Sequence, residues 1–156
     1  MKSLKGTVTL DGDAQHAGFQ FRAANEVALP EGQKLTYYLR PDGKDELGAT
    51  RNPPRGDPKN APEFDLPWNV MSFVVDGQRF SAVYIDSPKN PQPSNFSERN
   101  YGRFGSWFGK QELKADGPPL EITYRVWLQR GEMTIPQATA LANDFADPPR
   151  VVVVRK

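Results

Sequence analysis

The sequence contains no cysteine and only one histidine. The first absence removes disulfides, thiol nucleophiles and thiolate metal sites together. The second leaves His16 unable to build a multi-histidine metal site, although one imidazole can still act as an acid or base. No metal and no cofactor is therefore expected. An excess of one charge is also lacking: 20 Lys and Arg stand against 19 Asp and Glu, a net charge of +1. That balance gives no electrostatic case for nucleic acid or for an anionic membrane surface. Long apolar runs are missing too. None approaches the ~20 residues that a membrane helix needs. The opening "MKSLKGTVTLDGD" has a basic residue but no apolar stretch of signal-peptide type. The chain as given is expected to be soluble, with its compartment open. There is no phosphate loop, nucleophile elbow, HExxH or dinucleotide fingerprint. Ser97 has no evident base beside it.

What is present reads as a β-protein. At 156 residues the length suits one domain spanning 1–156. The apolar fraction is low, 37%, and 15 Pro with 13 Gly imply many turns. The apolar residues nevertheless fall into periodic runs. "LKGTVTL" (4–10), "HAGFQFR" (16–22) and "KLTYYLR" (34–40) read as strands. Within the second, Phe19 and Phe21 share one face, and Gly18, Gln20 and Arg22 the other. Residues 41–66 hold five prolines and three glycines, so they form either a functional loop or a poorly ordered one. "WNVMSFVVDGQRFSAVYI" (68–85) is a hairpin, because Asp76-Gly77 suits the I′ turn that joins antiparallel strands. "LEITYRVWLQ" (120–129) alternates, with Leu120, Ile122, Tyr124, Val126 and Leu128 on one face. "TIPQATALANDF" predicts the one helix, N-capped by Thr134 with Gln137 closing a capping box. "RVVVV" (150–154) reads as an internal closing strand. The expected fold is all-β, an antiparallel two-sheet sandwich with one short C-terminal helix.

The densest chemistry lies in "FSERNYGRFGSWF" (96–108), with five aromatic residues, two arginines and one acid. Arg99 and Arg103 offer planar forks for carboxylates or hydroxyls, and Tyr101 a ring with a hydroxyl. Such groups suit a sugar. Equally, the rings can be core and the arginines paired with acids at a sheet edge. Trp68 is a candidate stacking ring and Arg22 a further polar contact, while most buried tryptophans are simply core. His16 or Glu98 would move a proton if there is chemistry; His16 can equally be a strand-end residue. Glu121, Glu132 and Asp86 could supply a carboxylate pair, but glycoside chemistry needs a set separation that sequence does not give.

"GDAQHAGFQFR", "VYIDSPKNPQP", "SERNYGRFGSWF" and "LEITYRVWLQRGEMT" stand in an order that resembles the bacterial PmoA-like family, labelled "methane oxygenase PmoA", a domain of unknown function. The likeness runs from about Gly6 to Phe145. The family's Gly-Asp-x-x-x-Gly-Gly-Phe falls on Gly12, Asp13, Ala17, Gly18 and Phe19. Its Asp-His-Pro-x-Asn-Pro falls on Asp86, Ser87, Pro88, Asn90 and Pro91. Its His-x-Arg-x-Tyr-Gly falls on Ser97, Arg99, Tyr101 and Gly102. Ser87 and Ser97 stand where many relatives have histidine, which puts any histidine role in doubt here. Relatives carry a further N-terminal half with a Pro-His-His-Arg-Gly motif, so this chain resembles their C-terminal half. Methane oxidation is rejected, since a membrane copper enzyme needs spanning helices and ligands. The resemblance implies one half of a sandwich of the sugar-mutarotase type, in carbohydrate settings, by analogy of fold. Two functions follow as expectations. One is a carbohydrate-related domain that binds or modifies a sugar in a concave face. The other is a non-catalytic interaction module, a half-sandwich completed by another chain or an oligomer, because uncovered edges and faces attract partners.

Overall fold

The computed structural model describes residues 1–10, 18–54 and 58–149. The strands among them are β1 (Thr7–Leu10), β2 (Gln20–Arg22), β3 (Tyr37–Arg40), β4 (Gly43–Lys44), β5 (Trp68–Val75), β6 (Gln78–Asp86), β7 (Ser94–Arg99), β8 (Arg103–Phe108), β9 (Gln111–Lys114) and β10 (Tyr124–Arg130). The helices are α1 (Asn25–Ala28), α2 (Pro30–Leu35) and α3 (Ile135–Ala146). Every strand pairing is antiparallel. A five-stranded sheet has the order β10-β6-β5-β3-β4, a three-stranded sheet β2-β8-β7, and β1 with β9 forms a two-stranded ribbon. Among the described residues no sheet closes on itself into a barrel.

The β5–β6 hairpin forms as its sequence requires. Asp76 and Gly77 both take positive φ, 50° and 69°. That is the I′ turn, whose twist matches the strands it joins. Pairing then runs unbroken from Val75↔Gln78 to Trp68↔Ile85. Because β5 and β6 lie in the middle of the larger sheet, both their faces are buried, and alternate residues feed two different cores. Met71, Phe73, Ala82 and Tyr84 meet Tyr38, Phe96, Phe104 and Val27 between the two main sheets. Trp68, Val70, Val83 and Ile85 meet Leu39, Met133, Ala138 and Ala142 under α3. The molecule is thus layered as helix, large sheet, small sheet: a sandwich with one outer face covered by the C-terminal helix.

α3 begins where expected. Thr134 Oγ1 accepts from the Gln137 backbone N–H, and Gln137 Oε1 accepts from the Thr134 N–H at 2.9 Å. Elsewhere the elements differ from their sequence expectation. Lys34 and Leu35 end α2, which starts at Pro30, so β3 begins only at Tyr37. Proline's fixed φ favours a first helical turn, and that local preference overrides the apolar alternation. α1 and α2 add two short helices to the one expected. β1, β2 and β10 are shorter or shifted: Thr7–Leu10, Gln20–Arg22 and Tyr124–Arg130. The expected strand at 150–154 lies outside the described residues. The long loop of residues 41–66 contains β4 and 3₁₀ turns at Pro58–Asn60 and Pro62–Phe64. It also runs along the free edge of β7 through bridges Arg51↔Glu98 and Asp65↔Asn95. No helix among the described residues is long and apolar enough to cross a membrane.

Candidate functional site

The stretch from Phe96 to Phe108 is a hairpin, and its alternation answers both readings of it. β7 and β8 turn over Asn100, Tyr101 and Gly102. Gly102 takes φ +81°, and a Cβ there would sit 3.0 Å from Val27 Cγ1, so α1 packs against a position only glycine fills. Phe96, Glu98, Phe104, Ser106 and Phe108 point into the sandwich. Asn95, Ser97, Arg99, Arg103, Gly105 and Trp107 point to the outer face of the small sheet.

Pairing register sets Arg22, Arg103 and Arg99 side by side across β2, β8 and β7 on that outer face. Arg103 is 1% exposed. Its Nε donates to Tyr101 Oη at 3.3 Å and its Nη1 to Gln20 Oε1 at 3.2 Å. The Arg103 guanidinium also lies 5.9 Å from the Tyr101 ring centroid. Ser97 Oγ, on the same face, donates to Asn52 Oδ1 at 2.9 Å. The structure therefore gathers Arg22, Arg99, Tyr101 and Arg103 and leaves the other candidates elsewhere. Trp68 is 1% exposed beneath α3, on the far face of the large sheet. Glu98 lies between the sheets, on the opposite side of β7 from Arg99. His16 lies outside the described residues.

Between the sheets two polar clusters interrupt the core. In the first, Arg40 Nη1 donates to Glu98 Oε2 at 2.8 Å and to Asp45 Oδ2 at 2.6 Å. Asn69 Nδ2 donates to Glu98 Oε1. Burial pushes the Glu98 carboxyl up, and its partners Arg40 and Asn69 only partly offset that. Burial pulls Arg40 down, but Asp45 and Glu98 outweigh it, so its guanidinium stays charged. In the second, Asp86 is hydrogen-bonded by Asn90 Nδ2 and, at 3.5 Å, by Ser106 Oγ. Burial raises Asp86 as well, against the lowering effect of Ser94 and Asn90. Asn90 also spans Thr123 through both amide atoms at 2.8 Å, which ties the loop after β6 to the entry of β10.

These two raised carboxyls carry a consequence for stability. Each binds its proton more tightly folded than unfolded, so folding takes up protons. The fold is expected to gain stability as pH falls from the raised values toward the ordinary ones, 3.8 for Asp86 and 4.5 for Glu98. Urea midpoints measured from neutral pH down to that range should rise in the wild type relative to the Glu98→Gln/Asp86→Asn double variant. A double variant with the same slope as the wild type would refute the assignment.

A cleft of about 580 Å³ opens where the β1–β9 ribbon meets the small sheet and β10. Its walls are Phe19, Trp107, Phe108, Ile122 and Tyr124, and no charged side chain among the described residues lines it. Phe19 and Tyr124 stack at 5.7 Å with 17° between planes. Trp107 is buried, and its Nε1–H has no hydrogen-bond partner among the described residues. The Tyr124 hydroxyl, beside Tyr84 and Ser106, makes no well-formed hydrogen bond either. Burial first and the Asp86 charge second push that phenol up to about 12, so at neutral pH it holds its proton and can donate. Gly18 lets the chain reach this wall: at φ +82° a Cβ there would lie 2.5 Å from the Ser106 carbonyl oxygen. The site role of Phe19 and Tyr124 is not legible in the sequence, where both read as core positions of alternating strands. Arg40 and Asn69 give no local signal either, since their partner Glu98 is distant in sequence. A smaller cavity of about 300 Å³, bordered by Asp65, Asp86, Gln92 and Asn143, lies between the large sheet and α3.

One family model matches residues 1–143, and its description is "Family of unknown function (DUF6807)"; nothing in it links the chain to PmoA. No curated protein and no solved structure matches the chain.

Proposed function

We propose, for a chain that belongs to the family of unknown function DUF6807, that it is a ligand-binding β-sandwich domain taking an uncharged sugar in the ring-lined cleft. The observation that carries this reading is the cleft itself, bordered by the aromatic residues Phe19, Trp107, Phe108 and Tyr124, with Phe19 and Tyr124 stacked. Flat rings suit the apolar face of a pyranose. Among the described residues no charged side chain lines the walls, and the ammonium of Met1, which borders the cleft, donates to the Leu120 carbonyl; this favours an uncharged ligand over phosphates and carboxylates, which would be desolvated without a side-chain counter-charge. The volume lies within the range of small-molecule sites.

In this reading the arginine row lies on the same face of β8 as Trp107, about 13 Å along the strand at ~3.3 Å per residue. Arg22, Arg99 and Tyr101 then serve hydroxyls of a ligand longer than one ring, while the buried Arg103 holds the Tyr101 hydroxyl in place. Glu98 and Trp68 hold the frame and do not touch the ligand.

The test is a panel of neutral glycosides and short oligosaccharides, read by melting temperature and tryptophan fluorescence. A binding sugar raises the melting temperature by mass action. Phe19→Ala removes a half-exposed ring from the cleft wall, so it is expected to weaken binding about fivefold, the worth of about 1 kcal/mol. A panel in which no member shifts either signal, at millimolar sugar, ends the sugar reading.

A further inference from the structure

We infer that β10 is the contact by which two copies of this chain pair, edge to edge, into a dimer with one continuous sheet. β10 is a terminal strand of the five-stranded sheet, and among the described residues nothing pairs with its outer side. The other sheet edges are short or covered. β4 has two residues and β2 three, and β7 is bridged by the long loop at Arg51 and Asp65. β10 has seven residues. It contains no proline, lysine or bulge, the usual guards of an open edge. It also exposes two large apolar side chains, Trp127 at 50% and Leu128 at 57%.

The strand's own sequence says what fits against it. A two-fold axis perpendicular to the sheet and passing Trp127 pairs all seven residues, position i with 254 minus i. Trp127 then meets Trp127 of the other copy, Val126 meets Leu128, Arg125 meets Gln129, and Tyr124 meets Arg130. No like charges oppose each other, although the strand carries two arginines and no acid. The exposed leucine gains an apolar partner, and each Arg130 lies across from a tyrosine ring, a favourable cation–π arrangement. The side chains also stay on their proper faces: the odd positions share the α3 side and the even positions the side of the inner core.

Sedimentation across the micromolar range tests this with the intact chain. The wild type is expected to shift from monomer to dimer as concentration rises. Gln129→Glu places an acid across from Arg125 twice per dimer and should tighten association about fivefold. Gln129→Lys should loosen it by a similar factor. Trp127→Lys sets two ammonium groups against each other on the axis and should abolish it. Both positions are at the open edge, and circular dichroism checks that the fold persists. A chain that stays monomeric in both wild type and Gln129→Glu overturns the proposal. So does a dimer indifferent to both Gln129 changes, because it would use another surface.

Discussion

Arg40→Ala is expected to cost about 3–5 kcal/mol of stability, as removal of one partner from a buried ion pair does. The reason is the company Arg40 keeps. It holds Glu98, which is 1% exposed, and Asp45 at once. Without the guanidinium, Glu98 stays between two sheets with Asn69 as its remaining side-chain donor among the described residues and a nearby Asp45 charge against it. The protein then has to keep a bare carboxylate in the core or protonate it. The loss should therefore shrink as pH falls and Glu98 takes up its proton. Replacing both ends of the pair, Arg40→Met with Glu98→Leu, should restore most of the stability, because apolar packing often matches a buried pair. Urea denaturation of the two singles and the double forms the needed cycle. If Arg40→Ala melts like the wild type, the pair is not a structural tie. Glu98 would then return as a candidate for chemistry.

Trp68→Ala is the second large effect, about 3–5 kcal/mol from a cavity left under α3. Trp68 packs there with Leu39, Val70, Val83, Ile85, Met133, Ala138 and Ala142. The small alanines of α3 bring the helix close to the sheet, so the hole has little freedom to collapse. Trp127→Ala serves as the contrast. That ring is half exposed on an edge strand, and its loss should change stability by roughly 0.5 kcal/mol or less in the monomer. Guanidinium denaturation separates the two. A Trp68→Ala protein that keeps its midpoint but loses a sugar ligand would put this ring in a binding site after all.

Local chemistry was legible in the chain. The Asp76-Gly77 turn with its two flanking apolar runs, the Thr134–Gln137 capping box and the alternation of β10 each depend on neighbours a few residues away, so the sequence alone determined them. The antiparallel, mostly β character followed from those short-range choices, as did the lack of thiol and multi-histidine chemistry. The arrangement of the candidate site did not. Alternation shows that Glu98 and Arg99 point to opposite faces of one strand, but not which face meets the other sheet. Only the packing of the small sheet on the large one turned Glu98 inward to Arg40 and Asn69 and left Arg99 outside with Arg103 and Arg22. Trp68 offered the same difficulty: its ring suits a groove or a core, and the position of α3 decided for the core. The cleft is the clearest case. Phe19 just before β2, Trp107 on β8 and Tyr124 on β10 are distant in sequence, and a cavity is a property of the surfaces between elements. Residues far apart in the chain meet there only after the sheets have packed, so no local pattern records the meeting.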